Sequence, residues 1–141
     1  MEIRLLHAGD EAVLANVADG VFDNAVDPAL AAAFLADPRH HIAVAVEAGQ
    51  VVGFASGVHY IHPDKPAPLF VNEVGVSPAH QGRGIGRQVL DLLLAEGRRL
   101  GCVEAWVGTE HDNVAARALY TAAGGSDAMG SFVGYEWDWK A

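Results

Sequence analysis

Two apolar runs, HIAVAVE from His41 and VVGFASGVHY from Val51, stand on either side of Ala48, Gly49 and Gln50. Runs of this length, rich in β-branched residues and joined by a glycine-bearing turn, predict a β-hairpin. Ahead of them, EIRLLHA predicts a first strand. Gly9-Asp10 then opens a helix to about Gly20, with Asp10 as its N-cap. VFDNAVDP is a connection, and Pro28 suits the first turn of a second helix that ends near Asp37-Pro38. HPDKPAP must be loop, and LFVNEVGV is the next strand. Residues 84–100 carry Ile85, Val89, Leu92, Leu93 and Leu100 at helical spacing. CVEAWVGT predicts a strand, and NVAARALYTAAG a helix stopped by Gly124-Gly125. The tail SFVGYEWDW, with aromatic and acidic residues interleaved, predicts a last strand. Strands interspersed with helices in this order give an α/β fold, a mixed sheet with helices on its faces.

With 141 residues, half of them apolar, the chain forms one domain over 1–141 with a sizeable core. No apolar run reaches the ~18 residues that cross a bilayer. The start, MEIRLLHAGDEA, has no basic, apolar and cleavable succession, so the expected location is cytoplasmic. A lone cysteine, Cys102, excludes an internal disulfide, and no Cys/His set has zinc spacing, so no metal is expected. Nine basic residues against eighteen acidic ones give a net charge of −9, which argues against a nucleic-acid partner. A cationic small molecule is the better fit, although the same excess of acid would also serve solubility alone.

The densest signal is VSPAHQGRGIGRQVLDLLL. Gly82, Gly84 and Gly86 stand at the mouth of a helix, flanked by Arg83 and Arg87. The first amides of a helix lack internal acceptors and its N-terminus is electropositive, so glycines there let a bulky anion lie against the backbone. A Walker loop is excluded because Arg87-Gln88 replaces its Lys-Ser/Thr. A dinucleotide fingerprint lacks its third glycine, since position 87 is arginine, although Glu104 stands where a ribose-binding acid would. The pattern Gln/Arg-x-x-Gly-x-Gly/Ala is matched by Gln81, Gly84 and Gly86. A purely structural reading, a glycine cap for close packing, leaves the two arginines unexplained.

This stretch resembles motif A of the GNAT acetyltransferases, the Gcn5-related N-acetyltransferase superfamily. NVAARALYTAAG resembles that family's later motif, matched here by Asn113, Ala116, Leu119 and Tyr120. The resemblance implies a mostly antiparallel sheet of six to seven strands flanked by about four helices, with splayed central strands. It implies acetyl-coenzyme A as co-substrate. Backbone amides from Gln81 through Gly82, Arg83, Gly84, Ile85 and Gly86 to Arg87 would hold its pyrophosphate, and the strand edge at Val74 and Val76 would pair with its pantetheine arm. It assigns Tyr120 to protonating the leaving thiolate and Asn113 to the pantetheine, although Asn113 also fits a helix cap. The Val74 amide is the candidate for polarising the thioester carbonyl.

An alkyl amine is mostly protonated at neutral pH, so transfer needs a base. Glu73, a carboxylate in an otherwise apolar strand, is the candidate, acting directly or through water; the alternative is a solvated or paired acid. Cys102 has no basic neighbour and reads as an apolar residue, so direct transfer in a ternary complex is expected.

For the acceptor, residues 1–37 hold one base, Arg4, among many acids, with Asp23 and Asp27 in the connection between the first two helices. Glu136 and Asp138 alternate on the predicted last strand and so share a face. Glu110 and Asp112 read as exposed acids. His59 and His62 flank the proline loop, and His59 is a further acceptor-lining or base candidate. VFDNAVDP, HYIHPDKPAPLFVNEVGVSPAHQGRGIG, HDNVAARALYTAAGG and YEWDW together resemble the type I aminoglycoside 3-N-acetyltransferases, whose acceptors are antibiotic aminocyclitols. The segment GVFDNAVDPALAAAFL is shorter than in that group. Alternatives are an acetyltransferase for a polyamine, amino acid or protein N-terminus, and a non-catalytic acyl-CoA sensor. The resemblance also implies a homodimer, with Trp137 and Trp139 as core or contact residues.

Overall fold

The computed structural model describes residues 1–140. Five strands form one sheet in the order β1 (Glu2–Leu5), β2 (His40–Glu47), β3 (Gln50–His59), β4 (Leu69–Val76) and β5 (Ala105–Trp106). The first three pairings are antiparallel, and β4 pairs with β5 in parallel. The helices are α1 (Pro28–Ala36), α2 (Ile85–Arg99) and α3 (Val114–Ala122), with short 3-10 turns at Glu11–Ala15 and Pro78–His80. None of these helices is long and apolar enough to cross a membrane.

The hairpin forms as the pattern predicts. Glu47 and Gln50 are partners, and Ala48 and Gly49 turn the chain at φ 51° and 76°. Two successive positive φ values match the right-handed twist of the flanking strands. β2 and β3 read as continuous apolar runs because the central sheet is covered on both faces. On one face Ala43, Ala45, Val52, Ala55, Leu69 and Val71 pack against Ile85, Val89, Leu90 and Leu93 of α2. On the other, Ile42, Val44, Val51 and Phe54 pack against Leu14, Val21, Ala31 and Leu35.

Three expectations are corrected. The helix expected from Gly9 to Gly20 shrinks to a 3-10 turn at Glu11–Ala15. The Asp10 carboxylate accepts from the His7 amide at 2.8 Å and pairs with Arg4 at 2.9 Å, so it caps no helix. Beyond the turn, the Asn16 carbonyl accepts from Val51 N–H, and the Ala18 amide donates to the Val51 carbonyl, each at 2.9 Å. Pairing with the β3 edge pulls residues 16–18 out of helix. The last strand also fails to form: residues 131–140 have no regular structure and are exposed throughout. β5 is two residues long, so the sheet ends there without a ladder for the tail to join. The sheet therefore has five strands among the described residues where six to seven were expected, and three α-helices where about four were.

Candidate active site

One irregularity in β4 organises the site. Ser56 pairs with Glu73, but Gly57 pairs with Val71, so Asn72 is an extra residue, a β-bulge. Strict alternation from Leu69 and Val71 would turn Glu73 into the α2 core. The bulge resets the count. Val74 and Val76 instead take the α2 side, opposite Ala55 and Gly53, while Glu73 takes the other side with its partner Ser56. An acid within an apolar strand thus escapes burial: Glu73 is exposed on the wall of a cavity of about 650 Å3.

The same register frees backbone groups. The Ser77 amide donates to the Val52 carbonyl at 2.9 Å, and Ser77 and Val52 continue the pairing of β3 with β4. Hydrogen-bonded and non-bonded pairs alternate in an antiparallel ladder, so Gly75 and Glu73 bond β3 while Val74 and Val76 face away from it. On that far side β5 pairs only with Leu69 and Phe70. β4 and β5 thus part beyond Phe70, at the edge of the described sheet where the splay was expected between central strands, and Val74 and Val76 line the gap. The Val76 carbonyl accepts from Gln81 Nε2 at 3.3 Å.

Helix α2 starts beside this gap. Gly84 precedes it at φ 77° and ψ 12°, with no side-chain cap. The first intrahelical bond runs from the Gln88 amide to the Gly84 carbonyl, so the amides of Ile85, Gly86 and Arg87 lack helical acceptors. A Cβ at Gly82 or Gly84 would meet nothing within 4 Å, so the glycines there are not required by packing. A Cβ at Gly86 would lie 3.6 Å from Val76 Cγ2 and 3.6 Å from Leu119 Cδ2. The turn, the open edge of β4 and α3 thus converge. Free amides of this kind suit an anionic group, and the open strand edge suits an extended chain.

The two arginines are not free. Arg83 makes two hydrogen bonds to Glu47, at 3.0 and 3.2 Å, and His80 Nε2 lies 3.0 Å from the same carboxylate. That contact holds the Glu47 carboxyl below its usual range and raises the Arg83 guanidinium, the Arg83 hydrogen bond being the main cause. Arg87 pairs with Asp91 at 2.9 Å. Neither Glu47 nor His80 carried a signal in the sequence, because their meeting depends on the β2–β3 turn reaching the glycine loop.

On α3, Asn113 accepts from the Ala116 amide at 3.1 Å, so its side chain caps its own helix. Tyr120 is half-buried among core residues. Burial pushes its phenol above the usual range. Burial likewise raises the Cys102 thiol, as befits an inert cysteine.

Asp23, Asp27 and Glu73 gather around the larger cavity, and a second cavity of about 570 Å3 shares the Asp23 wall. Asp27 is engaged: its Oδ1 accepts from the amides of Ala29 and Leu30 at 2.8 and 3.1 Å, capping α1. His59 is not part of this wall. It alternates onto the α2 face and meets His41, with His41 Nε2 2.7 Å from His59 Nδ1. Burial, then the neighbouring His59, pushes the His41 imidazole down. Glu136 and Asp138 lie on the exposed tail and line neither cavity, and the strand that was to carry them does not form. The sequence reading missed Asn72 and the stacked Phe22–Phe54 pair, whose centroids are 4.1 Å apart. The adjacent polar pair Asn72-Glu73 in an apolar strand was the available sign of the bulge.

Comparison with known proteins agrees with this geometry. Residues 14–124 match the model of the acetyltransferase (GNAT) family. The chain is 43% identical over 101 residues to the N-alpha-acetyltransferase RimI of Mycobacterium tuberculosis, covering 70% of this chain and 61% of that protein. It is 49% identical over 51 residues to the L-2,4-diaminobutyric acid acetyltransferase of Virgibacillus pantothenticus, covering 36% of this chain and 31% of that one. The chain thus spans less than two thirds of these relatives. In fold it resembles AAC(6')-Iy, solved with the bisubstrate analogue CoA-S-monomethyl-acetylneamine, at a TM-score of 0.78 and 19% identity, covering 97% of each chain. With its glycine turn, splayed strands and matched motifs, the chain belongs to the acetyltransferase (GNAT) family.

Proposed function

We propose that the protein is an acetyl-CoA-dependent N-acetyltransferase acting on a cationic primary amine, by direct transfer in a ternary complex. The observation that carries this reading is the meeting of three features: uncapped amides at the start of α2, the open edge at Val74 and Val76, and Glu73 on the opposite face of the same strand. The turn from Gln81 to Arg87 would hold the diphosphate of acetyl-coenzyme A, whose thioester supplies the activated acetyl group. Cofactor contacts by Arg83 and Arg87 require their carboxylate partners Glu47 and Asp91 to share or release them.

Each remaining step belongs to this chain. Glu73 takes a proton from the ammonium, directly or through water, leaving a nucleophilic nitrogen. The Val74 amide donates to the carbonyl oxygen as charge develops there. The new N–C bond forms as the C–S bond breaks, and Tyr120 supplies the proton that the thiolate takes. Overall the ammonium gives up two protons: one leaves through Glu73 to solvent, and the other replaces the proton lost by Tyr120.

One of two competing readings of the acceptor, the one the motifs favour, is an aminoglycoside antibiotic. The acids Glu11, Asp19, Asp23 and Glu73 around the two cavities support it, as does the likeness of motifs. A homodimer is supported by the exposed Phe132, Tyr135, Trp137 and Trp139 of the tail, and sedimentation tests it. The activity is tested by thiol release from acetyl-CoA with a panel of amines. Amine-dependent release that Glu73→Gln suppresses supports the proposal; coenzyme A binding with no amine-dependent release refutes it in favour of a sensor.

A further inference from the structure

The two cavities say what the acceptor must lack. Among the described residues, no lysine or arginine lines either one. The imidazole of His40 borders the larger cavity, but its Nδ1 lies 3.5 Å from Asp37 Oδ2, so any charge on it already has a counter-ion. Arg39, next in the chain, is bound to the same Asp37 carboxylate at 2.9 Å through its backbone and 3.2 Å through its guanidinium. A carboxylate brought in with the amine would therefore meet Glu73 and Asp23 without a cation to neutralise it. Like charges brought together across a binding surface are disfavoured.

Beside the acids and His40, the larger cavity is lined by Asn24, Ser56 and Asn72 and by a broad apolar floor. Phe22 stacks on Phe54, and Val26, Leu30, Phe34 and Ile42 complete the surface. Leu30 is 71% exposed on α1, a large aliphatic side chain turned to an open cavity without a core partner. Asp27 caps α1 through Oδ1, which fixes its carboxylate at the rim of the same cavity. Glu73 at the bulge thus stands next to an aromatic and aliphatic floor, with Asp23 and Asp27 across the cavity.

We infer that the acceptor is a primary amine carried on an apolar body, with its carboxyl group absent or blocked as an amide. Free amino acids are disfavoured by charge, and polyhydroxylated polycations leave the aromatic and aliphatic floor uncovered. The inference rests on the acetyltransferase reading above, but not on the aminoglycoside one. Both an arylalkyl amine and a peptide N-terminus with a large apolar first residue have this chemistry.

The test is thiol release from acetyl-CoA with four acceptors: 2-phenylethylamine, a phenylalanyl tripeptide amide, free phenylalanine and neamine. The expected kcat/KM for at least one of the first two exceeds that for phenylalanine by about a hundredfold. Which of the two is preferred identifies the small amine or the peptide as the source. Asp23→Arg places a cation on the wall and is expected to narrow that gap at least tenfold, by raising turnover of the free acid. A variant that gains activity cannot be dismissed as misfolded. Equal or better turnover of phenylalanine, or a preference for neamine, overturns the inference while leaving the acetyltransferase reading intact. If coenzyme A binds calorimetrically but no amine of any kind triggers thiol release, both fall.

Discussion

Replacing Gly84 by alanine separates the cost of a backbone conformation from the loss of a binding surface. Gly84 sits at φ 77°, where an L-residue is strained by roughly 1–2 kcal/mol. The added methyl group meets nothing within 4 Å, so no packing cost follows. For a domain of this size that strain lowers Tm by roughly 3–7 °C. Ligand binding responds differently. If a diphosphate lies against the amides of residues 81–87, the methyl group stands between anion and donors. Loss of even one charge-assisted hydrogen bond, about 1.5–3 kcal/mol, weakens coenzyme A by roughly tenfold to a hundredfold. Gly84→Asn serves as the partner variant, since asparagine tolerates the left-handed region. It is expected to melt closer to the parent yet bind as poorly as the alanine variant. Calorimetric titration with coenzyme A beside thermal melts reads both quantities. An alanine variant that loses several degrees but keeps the parent Kd would refute the reasoning, because the glycine would then serve the turn alone.

The other predictions concern chemistry and stability. Glu73→Gln is expected to lower kcat by ~10²–10⁴-fold with coenzyme A affinity within about twofold, and Tyr120→Phe to lower kcat similarly without moving affinity; steady-state kinetics with calorimetry checks both. Ala48→Asn relieves a non-glycine positive φ in the hairpin and is expected to stabilise the fold by about 1 kcal/mol in urea titrations. The Arg39 side-chain and backbone hydrogen bonds lower the Asp37 carboxyl from 3.8 to about 2. A depressed folded-state pKa gives a contribution present above pH 3.8 and lost as pH falls through about 2. Carboxyl NMR of Asp37 should show that low midpoint, and Asp37→Asn should flatten the acid limb of stability; a midpoint near the ordinary value contradicts the contact.

Local signals carried the hairpin, the glycine turn, α2 and α3, because each is encoded within a few residues. Gly84 opens α2, Asn113 caps α3, and Ala48-Gly49 closes the β2–β3 hairpin. The elements that went astray depend on partners distant in sequence. Residues 16–18 carry a helical pattern but take strand-like bonds to Val51, which no local window contains. The tail alternates as a strand should, yet a strand exists only against a ladder, and β5 offers two residues. The candidate site was legible in its chemistry more than in its geometry. Glu73, Val74 and Val76 were identifiable, but the bulge at Asn72 that decides which face each takes depends on the β3 register, which no local window contains. His59 was placed near the acceptor by its neighbourhood to the proline loop, whereas alternation along β3 puts it on the other face, against His41.

The most direct measurement is an amide NMR titration of the uniformly labelled protein with coenzyme A. The expected result is saturable shifts concentrated at the amides of Gly82 to Arg87 and at Val74 and Val76, with the second cavity undisturbed. Shifts centred elsewhere, or none at all up to millimolar ligand, would contradict a diphosphate site at the start of α2.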